Sequence, residues 1–139
     1  MNKKLLYLCI LLVVSIVVRL FYAGINPTPI INADSYGYYG FGKQLIENPS
    51  ISTLVNQYRV PVYSTILGGL MVLNNVVDVP LDSPAFRPVL DQLTFIQSML
   101  SVGGVVLLYL LLLQLSLPIV WAFGISLLFA LNVYWSAPL

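Results

Sequence analysis

Apolar residues fall into four long runs separated by polar stretches that carry prolines. The runs cover about residues 5–24, 60–77, 95–117 and 119–137. A helix needs about 20 apolar residues to cross a bilayer. The pattern therefore predicts an all-α integral membrane protein with about four transmembrane helices. A first extracytoplasmic loop, about 25–59, would carry short interfacial helices between the first and second spans.

The flanks orient the first run. Lys3 and Lys4 precede it, and a basic flank places the N-terminus in the cytoplasm. A cleaved signal peptide fits less well, because the run exceeds the usual h-region and no A-x-A site follows. Arg19 is the one charge inside the run. At a helix centre it would cost about 2.5–3.5 kcal/mol. Near the outer end its long stem is expected to snorkel to the headgroups; a role at the outer face, beside an anionic lipid headgroup, is the alternative.

In the loop, Pro27 and Pro29 stop the first helix and Asp34 is placed to cap the next. Tyr38, Phe41, Leu45 and Ile46 then share one helical face, while Lys43, Gln44 and Glu47 look elsewhere, as in an interfacial helix. Gly37, Gly40 and Gly42 would permit close packing. Pro61 opens the second run, and Gly68-Gly69 in its middle allows a close helix approach. A polar link over 78–94 holds Pro80, Pro84 and Pro88 with Asp78, Asp82, Arg87 and Asp91. Ser98, Ser101, Gly103 and Gly104 make the first half of the third run a packing face, and Pro118 ends it. If every run crosses, the 78–94 link lies inside; the second run is short enough to be re-entrant instead. The last run stops at Tyr134, Trp135 and Leu139 with no polar flank, so residues 1–139 are expected to be the N-terminal part of a larger polytopic domain.

Composition sharpens this picture. Hydrophobic residues make up 59% and charged residues 8% of the chain, against about 25% charged in soluble domains. The net charge of +1 and the lack of a basic patch argue against nucleic acid as a partner. With no histidine and only Cys9, neither a zinc-type site nor an intrachain disulfide is available. The short basic start and the absence of glycosylation sequons suggest a bacterial inner membrane.

The candidate chemistry sits at the mouths of the first two runs. Asp34 opens Asp34-Ser35-Tyr36-Gly37-Tyr38-Tyr39, and Arg59 opens Arg59-Val60-Pro61-Val62-Tyr63. A carboxylate there suits a general base that takes a proton from an acceptor hydroxyl or amine. A guanidinium presents a planar, always-charged fork that suits a phosphate oxygen. Together they fit transfer of a group from a lipid-linked phosphate donor at the membrane surface. The plainer alternatives are a helix cap for Asp34 and a membrane anchor for Arg59.

The arrangement resembles the N-terminal part of the GT-C superfamily of membrane glycosyltransferases, which includes protein O-mannosyltransferases and aminoarabinose transferases. The resemblance rests on the span 5–24, the acid-and-tyrosine start at Asp34, the Arg59-x-Pro61-x-Tyr63 start of the second run, and Phe95-Ile96-Gln97-Ser98-Met99-Leu100-Ser101. It implies an inverting transfer from a polyprenyl-phosphate-sugar donor on the extracytoplasmic side, to an acceptor the residues do not identify. It makes Asp34 the catalytic carboxylate and sets Arg59 at the donor phosphate; the nearby Tyr36, Tyr38 and Tyr63 are candidate substrate contacts. These residues alone would be inactive, since the later loops of such enzymes are missing. Many relatives have a second acid beside the first. Here Ser35 and Tyr36 follow Asp34, so a divalent metal lacks its second carboxylate and no cofactor is assigned. Two other classes fit the same pattern: a transporter or flippase segment with broken helices, and a small structural membrane subunit without catalysis.

Overall fold

The structure, a computed structural model, describes residues 2–25, 33–55 and 61–132. All regular structure among them is helical, as the apolar runs predict. The helices are α1 (Lys3–Ile25), α2 (Ala33–Glu47), α3 (Ile51–Val55), α4 (Pro61–Leu73), α5 (Arg87–Gln114) and α6 (Ile119–Leu131), with a 3-10 turn at Pro84–Phe86 leading into α5.

Two stretches are long and apolar enough to cross a membrane, Lys3–Tyr22 with 20 residues and Pro84–Gln114 with 31. α4 and α6 have 13 residues each, or about 20 Å at 1.5 Å per residue. The second half of the expected 78–94 link is helical. Ser83 caps the 3-10 turn through Ala85, and Pro84 and Pro88 both occupy first-turn positions, where a missing N–H is harmless.

The chain forms two compact units. One holds α1, α5 from Ile96 onward, and α6. Its core is Leu11, Val105, Tyr109, Ala122 and Ala130. Tyr109 donates to the Lys4 carbonyl at 3.2 Å, near the start of α1, while Ser101 bonds Arg19 near its end, so α5 runs antiparallel to α1. Tyr7 stacks on Phe123 at 4.6 Å, and Arg19 reaches the Ala130 carbonyl, so α6 runs parallel to α1. Ala122, Ser126 and Ala130, four residues apart and fully buried, form the close-packed face of α6. Elsewhere this unit turns large apolar side chains outward, including Val13, Val17, Leu20, Phe21, Leu107 and Leu128.

The other unit holds α2, α3, α4 and the chain up to Phe95. α2 and α4 run parallel, since Tyr38 meets Tyr63 and Gly42 meets Ser64 and Gly68. A Cβ on Gly68 would lie 3.0 Å from the Gly42 carbonyl oxygen, and one on Gly42 would lie 3.1 Å from the Ser64 carbonyl oxygen. These two glycines set the helix spacing. Gly40, Gly69, Gly103 and Gly104 face open space, so the last two do not form the packing face expected of them.

Both long turns end helices in the same way. Asn75 and Ser116 have φ of 55° and 62°. Beyond them Val76 N–H bonds the Met71 carbonyl and Leu117 N–H bonds the Leu112 carbonyl, the six-to-one bond of a Schellman motif. Asn74 and Gln92 then exchange amide hydrogen bonds at 3.0 and 3.3 Å, fixing the end of α4 to the start of α5.

Because the clash at Gly68 is with backbone, Gly68→Ala is expected to destabilise by about 1–3 kcal/mol. Gly69→Ala should be neutral, or stabilising by up to about 1 kcal/mol from helix propensity. Thermal unfolding of the purified protein in detergent measures both, and equal melting temperatures for the two variants would refute the glycine contact.

Candidate functional site

Asp34 lies in the first turn of α2, one residue inside the helix rather than at its cap. It is exposed. A negative charge there interacts favourably with the helix dipole, typically by about 0.3–1 kcal/mol. Tyr38 follows one turn later on the same face. Its ring meets that of Tyr63 edge-on, with centroids 4.7 Å apart. Asp34, Tyr38 and Tyr63 therefore gather at the shared N-terminal end of the parallel α2–α4 pair. Tyr36 is two positions from Asp34, on another face of α2, and half exposed. Arg59 lies outside the described residues; in sequence it stands two residues before Pro61, the first residue of α4.

Further along α2, contacts that the sequence does not announce fix the helix in place. The Tyr39 hydroxyl donates to the Val79 carbonyl at 2.9 Å, and its ring packs edge-on against Phe86 at 5.5 Å. Lys43 donates to Asp78 at 2.8 Å, with Glu47 at 3.9 Å. The hydrogen bond to Asp78 holds the Lys43 ammonium above its ordinary value of 10.5. The sign for a raised basic group is that its contribution is full below 10.5 and lost as pH rises through the raised value. With Asp78 well exposed, the link orients α2 more than it stabilises it.

Arg19 is the second polar centre, and it does not snorkel. Its residue is 3% exposed. One guanidinium nitrogen donates to the Ser15 carbonyl at 3.0 Å and reaches the Ala130 carbonyl at 3.5 Å; the other donates to the Ser101 hydroxyl. The reason is the set of acceptors around it. Ser15 is one turn back on the same face, and Ser101 and Ala130 bring acceptors from α5 and α6. The pairing of Ser15 with Arg19 at a spacing of four was the available signal, since two polar residues on one face of an apolar helix point inward more often than to lipid. The Arg19 Nε and the hydroxyls of Ser15 and Ser126 are buried without a hydrogen-bond partner.

Among the described residues no group of three or more His, Cys, Asp or Glu side chains is placed to hold a metal ion. Comparisons with protein-family models, with curated proteins and with solved structures find no match for this chain.

Arg19 and Ser101 should be energetically coupled. Ser101→Ala is expected to lower stability by about 1–2 kcal/mol, between the averages for charged hydrogen bonds and for bonds inside membranes. In an Arg19→Met background, which keeps the apolar stem, the same change should cost far less. Additive melting-temperature shifts in that double-mutant cycle would show that the bond carries no weight.

Proposed function

We propose that this chain is a membrane-embedded part of a glycosyltransferase that moves a sugar from a polyprenyl-phosphate donor to an acceptor on the extracytoplasmic side. The observation that carries the reading is the placement of Asp34. It is an exposed carboxylate on the first turn of a helix packed through a backbone-to-backbone glycine contact and two tyrosines. A base must be held within reach of the proton it removes. Asp34 takes the proton from the acceptor as the acceptor attacks the sugar carbon, and the bond to the donor phosphate breaks.

The departing phosphate gains negative charge. Parallel α2 and α4 direct their positive dipole ends the same way, and Arg59 precedes α4 in sequence. Arg59 is assigned to a phosphate oxygen, and Tyr36, Tyr38 and Tyr63 to contacts with the donor. The apolar helices supply the surroundings for the polyprenyl tail. The outward apolar side chains of α1 and α5 support membrane embedding, because exposed apolar surface of that extent needs a nonaqueous partner. α1, α4, α5 and α6 form the membrane part, with the N-terminus and its two lysines in the cytoplasm.

Asp34→Asn in the full-length native protein should reduce sugar transfer by at least about a hundredfold, the usual scale for a general base, with the amount of folded protein unchanged. Transfer from a radiolabelled lipid-linked donor in membranes checks this, and near-normal turnover would sink the base assignment. Arg59→Ala should raise the donor concentration needed for half-maximal rate; an unaltered donor dependence rejects the phosphate role.

A further inference from the structure

We infer that the segment 33–86 begins and ends on one side of the membrane, and that α4 is seated in that leaflet by a lipid-facing stripe instead of crossing. The inference rests on the membrane reading and not on the sugar chemistry.

Sidedness follows from α1 and α5. Lys4 is joined to Tyr109, and Arg19 to Ser101. Moving toward the end of α1 is therefore moving toward the start of α5. The chain leaves α1 and re-enters α5 on the same side, so everything between crosses an even number of times. Within the described part of that segment α2 is only 15 residues and carries Asp34, Lys43 and Glu47, and α3 is 5 residues. α4 is the one apolar helix available. A single crossing by α4 would leave the chain on the wrong side. Its 13 residues also give about 20 Å, against a hydrocarbon core of about 30 Å.

The surface of α4 fits a single leaflet. Ser64, Leu67, Gly68 and Met71 are buried on one face, the face that meets α2. On the opposite face Val62, Thr65, Gly69, Val72 and Leu73 are exposed, and no charge interrupts them. Leu73 is 77% exposed and Val62 61%. α2 keeps Gln44 and Glu47 in water. A helix with one apolar face packed on protein and the other apolar and uncovered, too short to span, finds its partner in acyl chains at the boundary of one leaflet. Asn74, Asn75 and the Asp78–Lys43 pair then bring the chain back to water on the side where it started.

Cysteine accessibility tests this in the full-length protein in intact cells, on a Cys9→Ser background. The single variants are Ser52→Cys and Asp82→Cys, which bracket α4, Asn2→Cys and Gln114→Cys, and Val72→Cys on the stripe. All five positions are exposed. A membrane-impermeant maleimide should label positions 52 and 82 together, and positions 2 and 114 only after permeabilisation. Position 72 should stay at least about tenfold slower than 82 until detergent is added. Labelling of 52 and 82 from opposite sides overturns the inference by making α4 a crossing helix. Fast labelling of 72 in intact cells overturns the lipid seat. Labelling of 2 and 114 together with 52 and 82 in intact cells overturns the membrane reading itself, an outcome distinct from the other two.

Discussion

A guanidinium inside an apolar helix has to be answered by neutral groups here. The sequence has no Asp or Glu before Asp34 or after Asp91, so nothing in α1, the later part of α5 or α6 can pair with Arg19 as a counter-ion. At mid-span an arginine costs about 2.5–3.5 kcal/mol on the insertion scale. Hydrogen bonds to a charged group are worth about 1.5–3 kcal/mol each. The carbonyl of Ser15 and the hydroxyl of Ser101 therefore offset the cost only if α5 is held against α1 in this register. Rotate α1 and the guanidinium loses its acceptors on α5 and α6. Tyr109 and Tyr7 repeat the constraint at the other end of α1, through the Lys4 carbonyl and the Phe123 ring.

The second unit is organised by contact of a different kind. There the helices α2 and α4 come close enough for main chain to touch main chain, which only Gly42 and Gly68 permit. Dispersion forces fall steeply with distance, so a close approach favours contact among the buried side chains of Phe41, Leu67 and Met71. Parallel helices align their dipoles, which is mildly unfavourable in isolation. An anion at the shared positive end removes that penalty, and Asp34 already supplies one negative charge there.

The helical class was legible because apolar runs of this length have few other physical outcomes. Gly68 was legible as a packing residue, but its neighbour Gly69 was not distinguishable from it, since the difference is which face meets α2. The 78–94 link misled because prolines read as breaks. Pro84 and Pro88 instead start a helix, a distinction that depends on Ser83 capping the turn before them. Arg19 misled for a related reason. Its position near the end of α1 suits snorkelling, and only Ser15, one turn back, hints locally at burial. The acceptors that complete the site, Ser101 and Ala130, are distant in sequence. Of the candidate site, the meeting of Tyr38 with Tyr63 likewise depends on tertiary packing.

The sidedness of the chain bears on the chemistry in a specific way. The proposed base on α2 would be useful only if its surroundings stayed on the side where acceptor and water are found. α2 lies alongside α4, with Tyr38 beside Tyr63 and Gly42 beside Gly68. After α4 the chain comes back along α2, where Asp78 meets Lys43 at 2.8 Å and the Val79 carbonyl accepts from the Tyr39 hydroxyl at 2.9 Å. Both bonds tie α2, before α4, to the segment after it. The contacts that orient α2, and Asp34 with it, are thus the same contacts that hold the returning chain after α4.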